Sequence, residues 1–267
     1  METALDSFTP SPGDIKFNNI RRIFAHVPLD PDEEMIMNEV RALMAKKGME
    51  KPAWLDDNRR ILLRLIECGH RKPKKVLKFI EQYAEWRTRQ LPVPREEVAA
   101  PIDAGCFYVH GRDRQFRPIV ILDVRKLMQM GLTPEQTLRL NYFLLEWVVE
   151  HLLRPGKVET WDIIMDLSDV PLKEIPMKPL KTMMKSLTVF YCCCLFKTYI
   201  LNPAPVINTL WKIVQFFLDS QTRQKIRFVM GADKSELQEL IDPSQLEVKY
   251  GGSHPNLEAP YFPPRLL

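Results

Sequence analysis

KTYILNPAPVINTLWKIVQFFLDSQTRQKIRFVM, residues 197–230, sets two short apolar runs on either side of a helical stretch. KTYILN (197–202) and KIRFVM (225–230) are rich in β-branched and aromatic residues. They lack clear in/out alternation, which predicts strands covered on both faces. Between them, NTLWKIVQFFLDS (208–220) winds as a helix at ~100° per residue. Asn208, Lys212, Gln215 and Asp219 then fall within a stripe roughly 60° wide. Leu210, Trp211, Ile213, Val214, Phe216, Phe217 and Leu218 spread over roughly 220°, whereas an ordinary surface helix has an apolar arc nearer ~100°. Such a helix needs an apolar neighbour on its face and on both flanks.

The same alternation continues upstream. CFYV (106–109), RPIVILDV (117–124) and WDIIMDL (161–167) read as further strands. PEQTLRLNYFLLEWVVEHLL (134–153) and MKPLKTMMKSL (177–187) read as helices between them. Strands separated by helices predict an α/β unit with a mostly parallel sheet flanked by helices. Ahead of it lies a helical stretch. Asp30 and Pro31 open a helix that runs to Gly48, with acids early and lysines late. DDNRRILLRLIECG (56–69) and PKKVLKFIEQYAEWRTRQ (73–90) follow, and Pro92 and Pro94 break the chain near LPVPREE. The predicted organisation is a loosely ordered arm (1–30), an N-terminal helical domain (31–91), the α/β domain (92–255) and an extended Pro-rich tail (256–267).

Composition and motifs narrow the function. The chain is 45% hydrophobic and 27% charged with a formal net charge of +4, which are globular values. That balance, without interleaved aromatic residues, argues against a nucleic-acid partner. The start shows no secretory pattern. LTVFYCCCLF (187–196) is half of the ~20 residues a membrane span requires, so a cytoplasmic protein is expected. Five cysteines, three of them adjacent at 192–194, read as reduced thiols lining a core or cavity. Zinc fits poorly, because adjacent cysteines do not supply open ligand spacing.

No phosphate-binding glycine loop, GxSxG elbow or HExxH appears among the ten glycines and five histidines, so no catalytic residue and no metal ligand is assigned. The histidines read as surface or cap residues. Asp166, Ser168 and Asp169 stand at a strand end and read as a turn. HRKPKKVLK (70–78) carries Arg71, Lys72, Lys74, Lys75 and Lys78 and no acid. It is either a solvated helix face or a dock for anionic membrane, worth ~1 kcal/mol per basic residue.

DDNRRILLRLIECGHRKPKKVLKFIEQYAEWR, FRPIVILDVRKL, IIMDLSDV, YILNPAPVINTLWKIVQFFLDSQTRQKI and LEVKYGG occur in this order. FLD-x-x-T-x-x-KI (217–226) followed by YGG (250–252) is the most specific part. Over about residues 54–255 the set resembles the CRAL-TRIO lipid-binding family, which includes the secretory-pathway phosphatidylinositol/phosphatidylcholine transfer proteins. The resemblance implies an apolar lipid pocket closed by a gate helix at 205–219. The gate residues Leu210, Trp211, Ile213, Val214, Phe216 and Phe217 would supply apolar wall.

It also implies a headgroup role for Lys225. Tyr191-Cys192-Cys193-Cys194 stands where relatives carry Tyr-Pro-Glu-Arg, which puts Cys193 at the Glu position. Glu67 replaces an Arg of the LLRFLRARKF-type helix. Trp161 and Ile163 replace small hydroxyl residues used for phosphatidylcholine. The implied function is non-catalytic: one phospholipid or other hydrophobic molecule is bound and transferred or presented between membranes, with transient membrane association. The alternative is a non-transferring protein-interaction or regulatory module, such as a small-GTPase-binding domain of the same fold, with a protein partner.

Overall fold

The computed structural model describes residues 2–17, 20–57, 59–171, 175, 177–203, 207–218, 220–230 and 234–264. Among them no helix is long and apolar enough to cross a membrane. The longer helices that lead the fold are α1 (Pro31–Lys46), α2 (Arg59–Cys68), α3 (Pro73–Gln90) and α4 (Arg95–Asp103). Pro31 presets the first turn of α1, and the Glu33 carboxylate accepts the Asp30 N–H at 2.8 Å. Gly48, at φ 64°, takes the left-handed conformation just past its end. Helix α4 begins within the predicted break at LPVPREE, directly after Pro94, where the prolines hid it.

Five strands then form one sheet in chain order: β1 (Phe107–Arg112), β2 (Pro118–Asp123), β3 (Trp161–Asp166), β4 (Leu195–Leu201) and β5 (Ile226–Val229). The β1–β2 pair is antiparallel and the other three pairs are parallel, so the expected mixed α/β architecture is present. The longer intervening helices are α5 (Pro134–Trp147), α6 (Met177–Phe190) and α7 (Ile207–Val214). Thr133 caps α5 reciprocally with Gln136.

Each parallel crossover steps to the next strand in the same direction. With right-handed connections, α5, α6 and α7 all lie on one face of the sheet. The side chains sort accordingly. Phe107, Val109, Val120, Leu122 and Trp161 join the core made with α1–α5, while Ile200 packs in a smaller cluster with Ile207 of α7. The alternate residues Tyr108, Ile119, Ile121, Ile164, Tyr199 and Val229 face the other way. There they are covered by α8 (Ser235–Leu240), Leu246 and Tyr250.

Among the described residues, the arm is packed rather than loose. Leu5, Ile23, Phe24, Ala25 and Val27 are buried. A short hairpin pairs Lys16 with Arg21 and Phe17 with Ile20. Arg21 makes a two-point contact with Glu33, Nε to Oε1 at 2.7 Å and Nη2 to Oε2 at 2.5 Å. The backbone N–H groups of Phe24 and Ala25 donate to the buried Glu159 carboxylate at 3.1 and 2.9 Å. Weak periodicity concealed this segment because a side chain far along the chain holds it. The tail is also attached: the Tyr261 ring tilts against Tyr108 at 5.1 Å and Phe262 against Trp147 at 5.5 Å.

Two further expectations change. Cys68 of α2 and Cys192 are joined as a disulfide, with Cα atoms 6.1 Å apart, while Cys106, Cys193 and Cys194 carry thiols. The three adjacent cysteines could not pair among themselves, but the fold brings α2 to them. His110 is a core residue of β1, not a surface one. Both its ring nitrogens lack a partner, and the His254 ring lies 4.6 Å away. Burial lowers its pKa below 6.5, His254 and Lys249 act in the same direction, and Glu247 opposes them.

Truncating the fully buried Phe24 to Ala should cost about 3–5 kcal/mol in urea unfolding, and an unchanged midpoint would detach the arm from the core. His110 is neutral when folded and binds a proton more readily when unfolded. Its contribution is complete above pH 6.5 and is lost as pH falls through the lowered folded value. Stability should therefore fall below pH 6.5 in the native protein and fall less steeply in His110→Phe. Parallel pH profiles would contradict this.

Candidate binding cleft

A cleft of about 340 Å³ opens where β3, β4 and β5 begin. One wall is made by Thr160, Leu195, Phe196, Lys197, Lys225 and Arg227 at the strand starts. The arm supplies another wall through Phe17, Ile20, Arg21 and Arg22, and Cys193, Gln221 and Gln224 complete the lining. Ligands of open α/β sheets usually bind at the opposite, carboxyl ends of the strands. Here a turn stands at the ends of β3 and β4, as expected: Ser168 N–H and Oγ donate to Asp166 Oδ1, and Asn202 Nδ2 bridges Asp166 and Ser168.

Lys225 and Cys193, placed together by the resemblance, do meet in this cleft. The Lys225 ammonium donates to the Leu195 carbonyl at 2.7 Å, and its own carbonyl accepts the Thr198 N–H at 3.0 Å, which fixes the residue at the mouth of β5. Cys193 has φ 60°, a left-handed conformation uncommon for a side-chain-bearing residue. Burial pushes its thiol up to about 12, against the pull of Lys225 and Arg64. At neutral pH it is therefore uncharged and brings no counter-ion to the lysine.

No carboxylate stands among the described residues lining the cleft. Two acids lie behind it. Asp113 binds Arg117 at 2.8 Å in a buried pair. Asp162 is held well above the usual carboxylate range by burial and by Asp113. Burial also lowers the Lys197 ammonium, against the field of Asp162. The Arg117 guanidinium lies 3.5 Å from the Phe196 ring centroid, so the cleft wall is stiffened by a cation–π contact.

The remaining predicted residues disperse. Trp161 and Tyr191 are buried edge to face at 5.9 Å, and Tyr191 also meets Trp86 at 5.7 Å. With the half-buried Ile163 they belong to the main core, outside the lining of the cleft. Helix α7 is anchored by buried Ile207 and Val214 and by Trp211, which packs on Phe228 at 5.3 Å. Its other side is open: Ile213 is 45% exposed and Phe216, one turn on, is 82% exposed. The side chains of Leu210 and Phe217 lie outside the described residues. The expected arrangement, with Phe216 on a cavity wall, is corrected: in this conformation its ring meets solvent.

Of the basic run, Lys72, Lys74, Lys75 and Lys78 are exposed on α3 and its approach. Arg71 is instead half-buried and paired with Glu67 at 2.8 Å and Glu33 at 3.7 Å, which removes it from a docking face. Sequence reasoning missed Arg22, Lys197 and Arg227, which only the fold gathers. It also missed Arg64, buried on α2, which donates to the Glu159 carbonyl at 2.8 Å and to Cys194 Sγ at 3.2 Å.

The sheet and its one-sided helices agree with an independent comparison: residues 102–252 match the CRAL/TRIO domain. The chain belongs to the CRAL-TRIO family. A CRAL-TRIO domain-containing protein of Schizosaccharomyces pombe is 23% identical over 75% of this chain and 47% of its own. A phosphatidylinositol/phosphatidylcholine transfer protein of Arabidopsis thaliana is 25% identical over 84% of this chain and 42% of its own. The chain thus spans less than half the length of these relatives. The crystal structure of Sfh5 superposes with a TM-score of 0.65 at 14% identity, covering 87% of this chain and 91% of that one, which establishes a shared fold.

Proposed function

We propose that this CRAL-TRIO protein binds one lipid molecule and transfers or presents it between membranes without catalysis. The headgroup sits in the cleft at Lys225 and the acyl chains lie under α7. The observation that carries this reading is the state of α7 beside the cationic cleft. It is a short helix held by a few apolar anchors, and Ile213 on it and Phe216 in the turn that follows it stand in water. Each buried anchor contributes about 1.5–3 kcal/mol in water. Against acyl chains that contribution largely vanishes, so a membrane lowers the cost of moving the helix. The likeness to a phosphatidylinositol/phosphatidylcholine transfer protein of Arabidopsis supports a phospholipid as the ligand class.

Exposed apolar side chains on α7 and the exposed lysines of α3 give the membrane two kinds of contact, burial and charge. Transient membrane association and a lipid partner follow from this reading, with a cytoplasmic site of action. A protein-interaction module is the weaker reading, because it gives no role to a cationic cleft of ligand size.

Native mass spectrometry of the full chain after incubation with mixed phospholipid vesicles should show a bound lipid mass that is released on denaturation. Ile213→Asp and Phe216→Asp should each cut transfer between vesicles about tenfold or more. Unfolding free energy should stay within about 0.5 kcal/mol of the native protein, since both positions are exposed. Capture of no lipid, or full transfer by both variants, would contradict the proposal.

A further inference from the structure

Sulfur gathers where α6 passes into β4. The Cys68–Cys192 disulfide ties α2 to the turn at Tyr191–Cys194, and Cys193 Sγ lies 3.5 Å from Cys192 Sγ. Cys68, Cys192 and Cys193 are half-buried rather than sealed in the core, and Cys193 also lines the cleft. Cys194 is buried, and its Sγ accepts from Arg64. A line of sulfur thus leads from α2 to the cleft wall.

The core holds this turn by its ends. The Tyr191 ring packs against Trp86 and Trp161, and the Cys194 carbonyl accepts the Trp161 N–H at 2.9 Å. The two middle residues are held differently. Cys192 is fixed by the disulfide, and Cys193 sits in the left-handed region at φ 60°, which is costly for a residue with a side chain. Helix α2 has its own anchors: Leu62, Leu63, Leu65 and Ile66 are buried, and Arg64 pairs with Glu159. Opening the disulfide therefore releases Cys192 and Cys193 and leaves the elements on either side in place. Disulfides of proteins that act in a reducing cytoplasm are transient or redox-sensing rather than permanent. Burial keeps Cys193 a protonated thiol, a poor attacker of the bond beside it, so the bond stays between Cys68 and Cys192 until an outside thiolate arrives.

We propose that the Cys68–Cys192 disulfide is a redox latch on the cleft, opened by a small thiol such as glutathione, and that the open form admits ligand faster because Cys193 leaves the wall. One glutathione thiolate attacks a sulfur of the disulfide. The S–S bond breaks, a mixed disulfide forms, and the other cysteine departs as a thiolate and takes up a proton. A second glutathione thiolate attacks the mixed disulfide and releases the remaining cysteine, which is protonated in turn. The two glutathiones give up two electrons and leave as one glutathione disulfide. The cytoplasmic setting and the lipid as ligand rest on the carrier reading above; the latch itself rests on the placement of the sulfurs.

The full chain is equilibrated in graded ratios of reduced to oxidised glutathione, quenched with N-ethylmaleimide and weighed intact. Cys68 and Cys192 should become alkylated at reducing ratios and be protected again on return to oxidising ones. Peptide mapping then follows Cys193. It should be alkylated about tenfold faster in the reduced protein and in Cys68→Ser/Cys192→Ser than in the oxidised protein, the scale of releasing one left-handed residue. The reduced native chain guards against a double variant that misfolds. Uptake of phosphatidylinositol from phosphatidylcholine vesicles, read by native mass spectrometry, should be about threefold or more faster in both open forms. The two gains together support the proposal in full. Faster labelling of Cys193 with no lipid captured by any form supports the latch and overturns the carrier reading. A bond that stays closed at every glutathione ratio, or equal labelling of Cys193 with the bond open and closed, overturns the latch, while lipid capture leaves the carrier reading standing. Faster labelling with lipid captured at one rate by open and closed forms overturns the latch as a control on the cleft.

Discussion

One buried carboxylate organises the region around the cleft. Glu159 accepts from the backbone of Phe24, Ala25 and Gly156 and from the guanidinium of Arg64. A carboxylate without exposure is costly unless every oxygen is satisfied, and here three segments distant in sequence satisfy it. The arm, α2 and the approach to β3 are thereby locked to one point. The arm wall of the cleft, with Arg22 in it, exists because of that point.

The second determinant is topology. A sheet ordered as the chain runs, with right-handed crossovers, places all its connecting helices on one face. Helix α7 is the last of them and covers the edge of the sheet at β4 and β5. Its core is the small cluster of Leu167, Val170, Ile200 and Ile207, far smaller than the one that joins the leading helices to β1–β3. The breadth of apolar surface noted in the sequence is thus divided: part anchors the helix, and part, at Ile213 and Phe216, stands in water. A helix so divided is suited to exchange one apolar neighbour for another.

Much of the fold was legible because it is written locally. Apolar runs marked all five strands, and Pro31, Gly48 and Pro73 marked helix ends through fixed dihedral preferences. Lys225 and Cys193, which the family resemblance set together, both line the cleft. What was not legible depends on contacts between segments far apart in the chain. The arm has no periodicity because Glu159 and Glu33 hold it. The Cys68–Cys192 pair required α2 to meet the start of β4. Arg22, Lys197 and Arg227 look like ordinary surface charges until the strand starts and the arm hairpin converge. Phe216 was misplaced because helical phase fixes which residues share a side, not which side faces the sheet.

The account's central claim is that headgroup and chains separate along the molecule, the headgroup between the arm and the strand starts and the chains under α7. It is tested most directly with two photoreactive phosphatidylinositols, one labelled in the headgroup and one at the end of an acyl chain. Each is loaded into the full chain, and the cross-links are mapped by mass spectrometry. The account predicts headgroup cross-links within residues 17–22 or at the starts of β4 and β5, and acyl cross-links in α7. Headgroup cross-links at the opposite strand ends, around Asp166 and Asn202, with none to the arm, would contradict it.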